Sequence, residues 1–137
     1  MVIQRLIDLF SVDLANPNFY IQGINIPSKK NSKRWTGTHI ISSKNVTAFE
    51  RNTSLVFSIQ KSRFLEVANA TSKPILLGMY LIRDTKREFD YNNITQVILD
   101  EMEEHGYLSR DNMDNVVVIP LGYEVNKKEC GVKCFIL

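Results

Sequence analysis

This chain has no long hydrophobic run, few cysteines and almost no excess of either charge, and each shortage closes off a class of protein. Its most apolar stretch, Pro74 to Ile82, falls far short of the ~20 residues needed to cross a bilayer, so no membrane span is expected. The apolar residues between Met1 and Phe10 are interrupted by Arg5 and Asp8 and meet no small-residue cleavage site. They read as an amphipathic helix rather than a signal peptide. Cys130 and Cys134 are the only two cysteines. They make no disulfide framework and have no His or further Cys nearby for zinc, so two reduced thiols of a cytosolic chain are expected. The Asn-x-Ser/Thr sites at Asn45, Asn52, Asn69 and Asn93 are then chance matches. The formal net charge of +2 is small for a protein that holds nucleic acid through bulk charge. The positions of the charges carry more information than their sum.

What is present suits one folded domain over residues 1–137. Forty-four per cent of the residues are apolar and 23% charged, an ordinary globular balance, and a chain of this length can bury most of its unfolded surface. Val2, Ile3, Leu6, Ile7, Leu9, Phe10 and Leu14 have mostly helical spacing, predicting an N-terminal helix within residues 1–16 that Asn16-Pro17-Asn18 stops. Phe19 to Ile26 reads as a strand, with Gly23 as a bulge. A polar, basic connection over 27–37 follows, then a short strand from Thr38 to Ile41. Ser42 or Ser43 is a fitting N-cap for a helix to about Ala68, with Val46, Phe49, Val56, Ile59 and Leu65 on its buried stripe. Thr71 to Pro74 breaks the chain before a central strand, Ile75 to Ile82. The clearest amphipathic helix is Asn92 to His105, with Ile94, Val97, Ile98 and Met102 on one face and Gly106 as its C-cap. Its acidic run, Asp100, Glu101, Glu103 and Glu104, reads as the solvated face, and His105 as a residue favourable to the helix dipole. Asn115 to Leu121 and Val132 to Leu137 complete an α-β-β-α-β-α-β-β order. That pattern predicts an α+β domain, a mixed β-sheet with packed helices.

Three constellations could carry chemistry. In Ser28-Lys29-Lys30-Asn31-Ser32-Lys33-Arg34-Trp35, four cations fall within six positions, joined by hydroxyl and amide groups and an aromatic ring. Such a set can neutralise phosphates, hydrogen-bond them and stack on a base; a solvated basic loop is the plainer reading. In Arg83-Asp84-Thr85-Lys86-Arg87-Glu88-Phe89-Asp90-Tyr91-Asn92-Asn93, a basic turn delivers Asp90 to a helix start, where it is either a cap or a ligand for a hard cation. In Gly106-Tyr107-Leu108-Ser109-Arg110-Asp111-Asn112, a loop ahead of a strand can return Asp111 towards Asp90. An Asx turn is the ordinary alternative.

In order and spacing, these features resemble the RusA-like Holliday junction resolvases. Pro27, Ser28 and Asn31 are similar to the Pro-Ser-x-Asn-type loop that follows the first strand in that family. Ser28–Lys33 and Ser43-Lys44-Asn45-Val46 are similar to segments of phage- and Bacteroidetes-type members. Asp90 matches the first acid and Asn93 the Asn of the central Asp-x-Asp-Asn motif, and Asp111 matches the second member of a distal Asp pair. The resemblance covers roughly residues 19–127. The chain departs from the pattern at Asn92 (for Asp), Gln96 (for Lys) and Arg110 (for the first Asp of the pair).

The resemblance implies a Mg²⁺-dependent endonuclease acting on branched DNA as a homodimer, in the cytoplasm of a bacterial or phage-infected cell. Asp90 and Asp111 would hold the metal, with Asn92 as a neutral catalytic ligand. Lys29, Lys30, Asn31, Lys33, Arg34, Lys86, Arg87 and Arg110 would contact phosphates. The alternative is a RusA-like binding protein without catalysis, gripping DNA or sequestering a small nucleotide in the manner of phage anti-defence proteins. Asn92 and Arg110 suit a pocket for phosphates and base edges.

Overall fold

The computed structural model describes residues 1–28, 33–35, 40–42 and 44–137, with side chains for 1–28 and 44–137. Its elements are α1 (Gln4–Leu9), β1 (Phe19–Gln22), β2 (Lys33–Trp35), β3 (Ile40–Ser42), α2 (Lys44–Asn69), β4 (Ile75–Arg83), α3 (Tyr91–Glu104), β5 (Val116–Val125) and β6 (Gly131–Ile136). This is an α+β domain. Four strands form a mixed sheet in the order β1-β6-β4-β5, and β2 pairs with β3 as a separate antiparallel hairpin. That hairpin adds a strand to the order expected from sequence, because β2 falls inside the segment read as a basic connection.

The central strand β4 is nearly all apolar, and every residue from Leu77 to Ile82 is buried, as expected for a strand covered on both faces. It runs parallel to β5 and antiparallel to β6. The parallel β4–β5 pair requires a crossover, and α3 supplies it. One face of the sheet packs against α2 and α3 in a core that includes Phe19, Phe57, Phe64, Leu77, Met79, Ile98 and Met102. On the other face Tyr80, Ile82, Leu121 and Phe135 are covered by Leu6, Ile7, Val12 and Leu14. The N-terminal segment is therefore a thin third layer.

The N-terminal helix is shorter than its apolar spacing predicts. Val2 bridges Gly122, Ile3 N donates to Leu121 O at 3.0 Å, and Tyr123 N donates to Met1 O at 2.7 Å. The first residues thus run as extended chain along the outer edge of β5, and only then does α1 begin. It ends at Phe10, before Ser11 with φ 51°. The first strand is also shorter: Gly23, at φ +83°, ends β1 rather than bulging within it. In α2 the buried residues are Val46, Phe49, Thr53, Phe57, Phe64 and Ala68. Val46 and Phe49 lie on the expected stripe, but Ile59 is 71% exposed, because the stripe follows Phe57 and Phe64 to its side. Last, β5 continues four residues beyond Leu121, with a register shift opposite Met79 and Tyr80.

One sheet edge is closed by a side chain. Gln60 of α2 accepts from Tyr20 N at 3.0 Å and donates to Tyr20 O at 2.8 Å. Its amide takes the place of a neighbouring strand on β1, one way of blunting an edge that would otherwise pair with another chain. At the other margin of β1, Gly131 has φ +152°, and a Cβ there would lie 1.8 Å from Ile21 O. Only glycine allows β6 to begin this close to β1.

Candidate active site

The site is built around the first turns of α3. Asp90 is the N-cap: its backbone is extended (φ −94°, ψ 112°), and its carboxylate accepts from Asn92 N at 3.0 Å. An aspartate suits that position, since it satisfies an amide the helix cannot and its charge opposes the positive end of the dipole. Two aromatics pin the approach to this cap. Phe89 meets Tyr123 of β5 edge-on at 5.1 Å, and the Tyr91 hydroxyl donates to Met79 O of β4 at 2.8 Å. Burial raises the Tyr91 hydroxyl pKa well above its usual value, so it remains a neutral donor. The Arg83 guanidinium lies 4.5 Å above the Phe89 ring. A ridge from Lys86 to Tyr91 results, with a depression on either side.

The larger depression is a cleft of about 1220 Å³ between this ridge and the start of α2. Arg83, Arg87 and Asp90 line it from the ridge, and Asn45 and Asn52 from α2. The smaller, about 360 Å³, includes Lys86, Phe89 and Tyr123. Lys86 and Arg87 are both exposed; Arg87 borders both depressions and Lys86 the smaller one.

Asp111 reaches α3 by a different route. After the C-cap at His105, Gly106 turns the chain at φ +78°. Tyr107 is anchored under α2 by its hydroxyl, which donates to Phe57 O. The loop then runs back along the helix, and Gln96 Nε2 donates to Asp111 Oδ2 at 2.7 Å and to Asp100 Oδ1 at 2.9 Å. Asn92, Gln96 and Asp100 are spaced by four residues and share one stripe of α3. Gln96 lies six positions beyond Asp90, about 9 Å along the axis.

Of the residues singled out in the sequence, Asp90, Asn92 and Asp111 are thus all associated with the first half of α3, but not in one depression. Asp90 lines the large cleft, whereas neither Asn92 nor Asp111 does. Arg110 is exposed beside Asp111. Lys33 and Arg34 lie on β2 with their side chains outside the described residues; Lys29, Lys30 and Asn31 lie outside them altogether. Among the described residues no three His, Cys, Asp or Glu side chains converge on one point.

Two participants escaped the sequence reading. Gln96 was seen only as a departure from a motif, yet it is the contact that fixes Asp111, and Asp100 shares it. The four-residue spacing of Asn92, Gln96 and Asp100 was the available signal. The acidic run also needs correction at one position: Glu101 is only 6% exposed. It sits where α3 faces α2, with His105 Nε2 3.4 Å from its carboxylate. Burial, and then the charges of Glu50, Glu104 and Asp100, raise its pKa to about 7.

Cys130 and Cys134 are free and buried, and burial pushes both thiols up, so they offer no ready thiolate. No helix among the described residues is long and apolar enough to cross a membrane. Comparison of the sequence with known protein families and with characterised proteins gives no match.

Proposed function

We propose that this chain is a Mg²⁺-dependent, structure-specific DNA endonuclease of the RusA-like kind, acting on branched DNA during recombination. The observation that carries the reading is the double hydrogen bond of Gln96. It ties Asp111, fifteen residues further along the chain, to the helix whose N-cap is Asp90. Two acids remote in sequence are thereby tied to one helix, Asp90 at its N-cap beside the ridge that bears exposed Lys86 and Arg87, and Asp111 at Gln96, six positions further on.

The donor set suits Mg²⁺, which takes oxygen ligands, uses one or two carboxylates and retains several waters. The cap bond uses Oδ1 of Asp90 and the Gln96 bond uses Oδ2 of Asp111, leaving each carboxylate a second oxygen. Asp90 and Asp111 would hold the ion, with the Asn92 amide oxygen as a neutral third donor. Bound there, Mg²⁺ would supply positive charge for the scissile phosphate and a more acidic water. The protein's own part is to hold these oxygens in place and to grip the DNA backbone. Lys86, Arg87 and the exposed Arg110 serve that grip, joined by the cations of the 29–34 segment. Gln96 acts as a neutral clamp where the resembling family has a lysine. Symmetric cutting of a four-way junction calls for two copies of the chain, and a homodimer is part of the proposal.

A labelled synthetic four-way junction, incubated with and without Mg²⁺, tests this reading. Wild-type protein is expected to nick it only with the metal. Asp111→Asn and Gln96→Ala should remove most of the cutting while leaving binding in place, and Gln96→Lys should retain it. One observation favours the second reading, a binding protein without catalysis: Asp90 and Asp111 do not line the same depression. Binding without any nick, unchanged by the double substitution Asn92→Asp and Arg110→Asp, would establish that reading and overturn the first.

A further inference from the structure

Arg83 ends the central strand β4 and lines the large cleft, yet among the described residues it forms no direct ion pair. Its guanidinium lies on the Phe89 ring at 4.5 Å, and Phe89 is held in turn against Tyr123. Three acids, Asp84, Glu88 and Asp90, line the same cleft, but among the described residues none forms an ion pair with Arg83. Asp90 is engaged as the cap of α3. The charge of Asp84 is felt at the Cys130 thiol, on the side where β6 begins. Nε of Arg83 is buried and has no hydrogen-bond partner among the described residues, although the residue as a whole is only partly buried.

An arginine with a purely structural role would normally satisfy its donors with a carbonyl or a carboxylate, because an unmet buried donor is destabilising. Here an aromatic face holds the cation instead. It fixes the plane of the guanidinium by cation–π attraction and, with Nε buried, leaves the two terminal nitrogens as the donors open to a ligand in the cleft. A planar fork of this kind matches the paired oxygens of a phosphate. The opposite wall carries Asn45 and Asn52, neutral groups that can hydrogen-bond a sugar-phosphate chain without repelling it.

We propose that Arg83, held on Phe89, is a phosphate-binding residue that takes a backbone phosphate of DNA lying in the large cleft. It deepens the nuclease reading by assigning a strand path past the cap of α3, and it rests on that reading for the identity of the ligand. The contact is one of charge and geometry, not of base sequence.

The test is binding of a fluorescein-labelled four-way junction by fluorescence anisotropy, without divalent metal, at several salt concentrations. Wild type is compared with Arg83→Met, which keeps the stem over Phe89, and with Arg83→Lys, which keeps the charge. Circular dichroism melts of all three confirm that the fold is retained. Loss of one phosphate contact should weaken binding roughly tenfold and lower the slope of log K against log salt by about 1. Arg83→Lys should restore most of the slope. A folded Arg83→Met protein with wild-type affinity and slope overturns the assignment of Arg83, whatever the fate of the nuclease reading. If wild type binds but never nicks when Mg²⁺ is added, and Arg83→Met loses the slope, the nuclease reading fails and Arg83 stands. Absence of junction binding by wild type overturns both.

Discussion

Replacing Glu101 with glutamine should stabilise the protein at alkaline pH and leave it nearly unchanged in acid. Glu101 is buried where α3 faces α2, with Glu50, Glu104 and Asp100 adding negative potential, and its pKa rises from 4.5 to about 7. Below pH 4.5 folded and unfolded chains both hold the proton, and the group is neutral with respect to stability. Between 4.5 and about 7 the unfolded chain loses the proton while the folded one keeps it, so stability falls as pH rises. Above about 7 the full penalty remains. A displacement of that size corresponds to about 3 kcal/mol, and His105, 3.4 Å away, offsets part of it when protonated. Glutamine keeps the shape and the contact with His105 while removing the charge. Glu101→Gln should therefore gain about 1–3 kcal/mol at pH 8, a rise in Tm of about 3–10 °C, and close to nothing at pH 4.5. Thermal melts followed by circular dichroism at pH 4.5, 6 and 8 would measure it. An equal shift at all three values, or a lower Tm at pH 8, would refute the account of Glu101 as a strained buried acid.

At Asp90 structural and functional roles can be separated: Asp90→Asn should keep the cap and cost only a few tenths of a kcal/mol, while Asp90→Ala should cost about 1 kcal/mol. Both should abolish Mg²⁺-dependent junction cleavage; urea denaturation and the cleavage assay read the two effects. Gln60→Ala removes both hydrogen bonds to Tyr20 and should cost about 1–2 kcal/mol, with faster amide exchange in β1 as its local signature. Gly131→Ala forces a Cβ to within 1.8 Å of Ile21 O and should destabilise by at least about 2 kcal/mol, seen as a lowered urea midpoint or loss of soluble protein.

The two long helices were legible because their information is local. Apolar residues in α3 recur at helical spacing, Asp90 carries the right side chain to open it, and Gly106 is suited to the turn that closes it. The nearly all-apolar character of β4 likewise marked it as central. Where the reading was incomplete, the missing information came from elsewhere in the chain. Residues 1–3 have helical spacing but lie as extended chain, because the edge of β5 offers hydrogen bonds that a short helix end does not. Glu101 sits in an acidic run that looks solvated, and only the position of α2 makes it buried.

From sequence, then, the two long helices, the central strand, the α+β class and the acids at Asp90 and Asp111 could be read, since each of these depends on neighbours within a few turns. The tertiary structure alone decided that Gln96 would hold Asp111 against α3, that Gln60 would close the edge of β1, and that Arg83 would rest on the Phe89 ring. Such contacts join single polar or aromatic groups across gaps of six to forty residues. They impose no periodicity on the residues between them, and so leave no trace until the backbone has brought the two ends together.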